Sequence, residues 1–188
     1  GEPIIITGYT DPPYTKITFC PDLGRFGLTE LSDDIVSLFK KRVYDASAWT
    51  DTSVSVFYND VELPCNSLIN YVDLYIGSKI ERPRVHRKMN KDWEIVATYN
   101  DNEIFEQVSF VNGINTIRGG KHVDYIVNQI CKLMADVIGK KHKLNIKPIY
   151  VRNQLFVFVK STIVNPSFDG QTKETLTTPV SKFGSSCI

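Results

Sequence analysis

No apolar run in this chain approaches the roughly 20 residues that a bilayer-spanning helix needs, so no membrane partner is expected. Cysteine is sparse: Cys20, Cys65, Cys131 and Cys187 stand far apart, without a C-x-x-C pair. That spacing excludes a zinc ribbon and a dense disulfide framework, and reduced thiols in an intracellular protein are the expectation. His86, His122 and His142 are equally scattered, so no metal site is expected. An excess of one charge is missing as well. The 22 basic side chains face 21 acidic ones, for a net charge of +1. No global field draws such a chain to nucleic acid, and a contact of that kind must come from a local patch. Neither an internal repeat nor a secretion signal is expected.

What is present is 188 residues, 42% of them apolar, enough for one large domain or two small ones with a real core. Residues 1–14, rich in Pro, Gly and Thr, predict an irregular arm. Alternation over Thr15–Cys20 predicts a half-buried strand, broken by Pro21, Asp22 and Gly24. Ser32 is placed to cap a helix running to about Ser47, with Asp33 and Asp34 on its positive end. A strand over Val54–Tyr58, a turn at Asn59-Asp60 and a short return strand to Pro64 follow. Ser67 caps a second helix through Ile76, ended by Gly77.

Composition changes there. Lys79, Arg82, Arg84, Arg87, Lys88 and Lys91 crowd a stretch with few apolar residues, and we place a domain boundary close to Gly77. A hairpin is expected from Trp93–Tyr99 and Ile104–Val111, turned at Asp101-Asn102, then a polar loop over residues 112–120. The clearest helix begins near His122, where Val123, Ile126, Val127, Ile130, Leu133, Met134 and Val137 recur at helical spacing, and Gly139 ends it. Ile146–Val151 and Gln154–Val164 predict two strands turned at Arg152-Asn153, and a loop-like tail starts at Asn165. The pattern is α+β, one helix face lying on a sheet.

Two segments rise above a generic domain. One runs from Phe110 to Tyr125, F-V-N-G-I-N-T-I-R-G-G-K-H-V-D-Y; the other from Asn165 to Glu174, N-P-S-F-D-G-Q-T-K-E. The first resembles a signature of the type IIA DNA topoisomerases, in which an N-x-I-x-T stretch and a Gly-Gly-x-His turn open a long helix. The second resembles their NPxFxxQTKE loop. Pro21–Phe26, Tyr71–Tyr75 and Lys182–Ser185 add likeness in the same order, so the resemblance covers nearly the whole chain. It implies the C-terminal part of a gyrase/Hsp90-type (GHKL) ATPase domain over residues 1–76. A transducer like the second domain of ribosomal protein S5 would follow over residues 77–188. Lys121 and the long arm before Thr15 resemble the eukaryotic or large-DNA-virus branch more than bacterial gyrase.

The second motif suits a terminal phosphate. A lysine ammonium neutralises its charge and a glutamine amide hydrogen-bonds it. In an extended loop Gln171 and Lys173, two apart, project to one side, with Asp169-Gly170 supplying the bend. By itself Q-T-K reads as a solvated loop. The resemblance implies that Gln171, Thr172 and Lys173 contact nucleotide, with Lys173 on the γ-phosphate. For Gly119, Gly120 and His122 a structural role, as a strand-to-helix turn, is preferred to anion binding. Lys140, Lys141 and Lys143 read either as contacts to DNA phosphates or as a solvated helix end suited to the dipole.

For the whole enzyme, the resemblance implies ATP-driven cleavage, passage and religation of double-stranded DNA, with Mg2+, by a homodimer. Its place would be the nucleus, or the host cytoplasm in a virus factory if the source is viral. The family's catalytic Glu, Mg-binding Asn, glycine-rich lids and DNA-cleaving Tyr have no match here. This piece is therefore expected to hold no tightly bound cofactor and to be inactive by itself. A MutL-like ATPase and a non-enzymatic nucleic-acid-binding module are the alternatives.

Overall fold

The computed structural model describes residues 4, 5, 7, 8 and 10–187. The chain divides into two compact units, residues 1–36 and 37–188. In the first, the described part of the expected arm has neither helix nor strand, and its remainder lies outside the described residues. The strand expected over Thr15–Cys20 does not form. A strand needs a neighbour for its backbone groups, and among the described residues no strand pairs with this stretch. Ile17 and Phe19 are left exposed. Asp22 accepts a hydrogen bond from the Arg25 N–H and caps a short 3-10 helix, Leu23–Phe26, closed by Gly27 at φ 68°. Helix α1 (Asp33–Trp49) starts at the end of this unit, where the Ser32 hydroxyl accepts from the Ile35 N–H at 3.4 Å.

The second unit is built on a mixed sheet. A tight hairpin comes first, β1 (Phe57–Tyr58) and β2 (Val61–Glu62), with the expected turn at Asn59-Asp60, both residues at positive φ; the strand expected from Val54 forms only over Phe57–Tyr58. Helix α2 (Leu68–Ile76) follows, its first turn capped by the Ser67 hydroxyl. The sheet then takes β3 (Arg84–Lys88), β4 (Trp93–Tyr99), β5 (Glu106–Val111), β6 (Ile114–Asn115) and β8 (Leu155–Ser161), in the order β3-β4-β8-β5-β6. Helices α3 (Lys121–His142) and α4 (Pro148–Asn153) connect its second half, and β7 (Gly119–Gly120) pairs apart from it with β9 (Thr175–Leu176).

Every residue of β8 but Lys160 is buried, because the sheet is covered on both faces. Leu155, Val157 and Val159 face α3 with Trp93 and Val111; Phe156 and Phe158 face α2 with Val96. The α3 stripe is Val123, Ile126, Val127, Cys131 and Ala135, one side of a 3.6-residue helix. The Val and Ile side chains of the stripe contribute about 1.5–3 kcal/mol each on burial, and the Ala135 methyl less. The composition break near Gly77 is thus not a break in packing, since α2 lies on the strands that follow it.

Several expectations are corrected. The basic stretch contains a strand, β3, at a sheet edge with one neighbour, where Arg87 and Lys88 reach water. β5 does not return beside β4: β8 inserts between them, antiparallel to β4 and parallel to β5. Ile146–Val151 is not a strand; Pro148, its φ preset for a first helical turn, opens α4 instead. Helix α3 passes Gly139 and ends at Lys143, which is left-handed at φ 54° and donates to the Gly139 carbonyl. Leu133, Met134 and Val137 are exposed, off the stripe that meets the sheet.

Two cations from the sheet hold helix ends, whose last carbonyls have no partner within the helix. Lys160 Nζ donates to the Ala48 and Trp49 carbonyls of α1 at 3.2 and 2.7 Å. The buried Arg84 donates to the Gly77 carbonyl at 2.5 Å and to Asp73 at 2.6 Å, beside the end of α2. Desolvation lowers the Lys160 pKa. Hydrogen bonds from a charged donor contribute roughly 1.5–3 kcal/mol each, and Lys160 is only half buried. Lys160→Met is therefore expected to lower unfolding stability by about 1–3 kcal/mol, read as a shift in denaturant midpoint at constant slope. No shift would show that solvent serves those carbonyls as well.

Candidate functional site

The two motifs meet. In the first, Asn112 and Gly113, both at positive φ, make the two-residue turn between β5 and β6. The polar residues after it are turned inward. Asn115 donates to the Ser109 carbonyl at 3.1 Å, and Lys41 of α1 donates to the Asn115 amide oxygen at 3.3 Å. Thr116 hydrogen-bonds the Ser109 hydroxyl at 2.6 Å and His122 Nε2 at 3.2 Å. These side chains fasten the loop to β5.

Gly119 and Gly120 then form β7, at φ 73° and 128°, values that side chains rarely adopt. β7 runs parallel to β9, and a Cβ at Gly120 would collide with the Leu176 backbone. Gly120 caps α3 without a side-chain bond. His122, in the first turn, packs rather than caps: it is wholly buried, and desolvation lowers its pKa to about 3. Its imidazole is neutral, suited to a structural bond with Thr116.

The second motif folds into a hairpin. Ser167 and Phe168 pair back with Thr177 and Leu176. Asp169 closes the base of the tip twice, donating its N–H to the Thr175 carbonyl and accepting the Thr175 N–H on its carboxylate, each at 3.1 Å. The Thr175 side chain, with its N–H adding to the effect, holds the Asp169 pKa below its usual value. The tip is tightly turned, not extended, with the Lys173 N–H donating to the Gly170 carbonyl at 3.1 Å. The left-handed residue is Lys173, at φ 57°, rather than Gly170. Gln171 and Lys173 are therefore not related as alternate residues of a strand.

Gln171 and Thr172 are exposed at the tip. Lys173 is partly buried, its Nζ 5.8 Å from the centroid of the Phe168 ring. Arg118, just before the paired glycines, donates its N–H to the Glu174 carbonyl at 3.0 Å, and its guanidinium lies 2.9 Å from the Glu174 carboxylate. The return side of the hairpin, Glu174–Leu176, is thus joined to residues 118–120, which lead into α3. Lys140, Lys141 and Lys143 are exposed at the opposite end, about 30 Å away at 1.5 Å per residue. Sequence reasoning missed Arg118 and Phe168. The signal for the closed base was Asp169, since Asp side chains bond backbone N–H groups a few residues on; the Arg118–Glu174 pair spans loops far apart in sequence and left none.

A family model described as DNA gyrase B matches residues 67–186 of the chain. The chain is 45% identical over 194 residues to DNA topoisomerase 2 of Arabidopsis thaliana, covering 100% of the chain but only 13% of that protein. The ATPase region of Saccharomyces cerevisiae topoisomerase II superposes with a TM-score of 0.80 at 40% identity, over 89% of the chain and 42% of its own. The ATPase and transducer domains of DNA topoisomerase II from Balamuthia mandrillaris superpose with a TM-score of 0.83 at 40% identity, over 89% and 42%.

Burial of His122 sets a pH dependence. Folded, its pKa is lowered to about 3 from an ordinary 6.5. Between those values the unfolded chain binds the extra proton, so stability is lost as pH falls through that window. This one group contributes at most about 1.4 kcal/mol per pH unit. Denaturant midpoints measured from pH 7 to pH 5 should fall, and His122→Asn should flatten the fall. An unchanged slope would place the titration elsewhere.

Proposed function

This chain belongs to the DNA gyrase B family, and from that premise we propose that it is the switch-bearing segment of an ATP-dependent type II DNA topoisomerase. The chain spans 13% of its Arabidopsis relative. The intact protein is the enzyme that cuts one duplex, passes another through and reseals it, as a homodimer acting on double-stranded DNA. Residues 1–76 are the last part of its ATP-binding domain and residues 77–188 its transducer. A MutL-like ATPase or a simple nucleic-acid module fits less well, because relatives at 45% and 40% identity are topoisomerases II.

The observation that carries the proposal is the hairpin whose base, at Glu174–Leu176, is paired with the residues that lead into α3. From it the Lys173 ammonium meets the γ-phosphate of ATP, with the Gln171 amide and Thr172 as further polar contacts. A hairpin whose base is paired with the two residues before α3 passes its position to the helix and the sheet beneath it. Presence or loss of the terminal phosphate then becomes movement of the transducer. Among the described residues no group of three or more His, Cys, Asp or Glu side chains is gathered as metal ligands; the Mg2+ that accompanies ATP is not assigned to residues of this segment. Lys140, Lys141 and Lys143 would contact DNA phosphates in a salt-sensitive, sequence-independent way, the alternative being a solvated helix end suited to the dipole. The cellular site is the nucleus, or a cytoplasmic virus factory for a viral enzyme.

Lys173→Ala in the intact protein is expected to lower ATP turnover on the order of 100-fold, the usual loss on removing one preorganised charge-stabilising donor. ATP-dependent relaxation of supercoiled plasmid should fall with it. Turnover at the unmodified level would reject the role of Lys173.

A further inference from the structure

The motif from Asn165 to Glu174 contains two carboxylates, and both are occupied. Asp169 accepts the Thr175 N–H at 3.1 Å, and Glu174 lies 2.9 Å from the Arg118 guanidinium. Lys173, between them, is paired with no carboxylate among the described residues; its ammonium faces the Phe168 ring. Arg118 is 71% exposed and Glu174 26%. So exposed a pair adds little to folding stability, and its consequence lies in where charge is left free. Glu174 is next to Lys173 in the chain. A carboxylate released there would compete for the one cation that the loop offers.

We propose that Arg118 is a positioning residue. By engaging Glu174 it keeps the Lys173 ammonium available to an incoming phosphate. The proposal rests on Lys173 serving the terminal phosphate of the nucleotide, and it adds that the strand-to-helix turn of the first motif sets the charge state of the second. The backbone bond from Arg118 to the Glu174 carbonyl keeps the two loops in register, so a side-chain change at residue 118 alters the ion pair without undoing the pairing of β7 with β9.

The experiment uses the intact protein, with steady-state ATPase over a range of ATP concentrations. Arg118→Ala should lower kcat/KM for ATP about two- to fivefold, the range of an exposed ion pair, chiefly by raising KM. Arg118→Lys should stay within about twofold of the unmodified protein. Removing the competing carboxylate as well, in Arg118→Ala with Glu174→Gln, should restore kcat/KM, and raised ionic strength should shrink the single-variant defect. With Lys173→Ala already present, Arg118→Ala should cost nothing further. A defect that Glu174→Gln fails to relieve, or an Arg118→Ala protein of normal kcat/KM, overturns the proposal while Lys173 keeps its role. Normal turnover in Lys173→Ala overturns both.

Discussion

The parallel pairing of Gly119–Gly120 with Thr175–Leu176 is the contact on which the site depends. Two loops far apart in sequence are joined there by backbone, at a separation that leaves no room for a side chain at Gly120. The left-handed conformations of both glycines serve that approach and start α3 in the same step. Once β9 is fixed, the hairpin that carries Gln171, Thr172 and Lys173 can close only above it. The strain of a left-handed Lys173 is borne by a turn over-determined by the two Asp169–Thr175 bonds.

Beneath this lies a sheet whose central strand is apolar on both faces, so that α3 and α2 share one support. The buried groups around the first motif belong to the same support. Asn115 ties the loop to Lys41 of α1, and Thr116 ties it to Ser109 and to the neutral His122. A displacement at the tip therefore meets packed side chains rather than a soft loop, as the proposed relay between a phosphate and a moving domain requires, while His122 Nδ1 and Gln107 Oε1 stay buried without a partner among the described residues.

Elements fixed by local chemistry were legible in the sequence. The Ser67 cap and the Asn59-Asp60 turn depend on residues within one turn of chain, and the apolar stripe of α3 was legible over its first half, Val123 to Ile130, though not at Leu133, Met134 and Val137. Those decided by distant partners were not. The place of β8 between β4 and β5 depends on pairings over 50 residues or more; among the described residues the edge strand β3 pairs only with its sequence neighbour β4, and its exposed, charged face hid it. Thr15–Cys20 shows the converse, a strand pattern without a strand beside it. At Ile146–Val151, β-branched residues argued for a strand and Pro148 for a helix start, and the proline prevailed. For the candidate site, the resemblance pointed to Gln171 and Lys173, and their spacing gave an extended arrangement that the turned tip replaces. The turn, the Phe168 contact and the Arg118–Glu174 pair emerge only when the two loops are side by side.

Amide hydrogen exchange at Arg118, whose N–H donates to the Glu174 carbonyl, tests this join most directly. If the pairing anchors the hairpin to the start of α3, that amide exchanges as slowly as the hydrogen-bonded amides of the second and third turns of α3, opening only with the sheet. Exchange at the rate of an unstructured loop, with α3 still protected, would contradict the account, because the tip would then move without the helix.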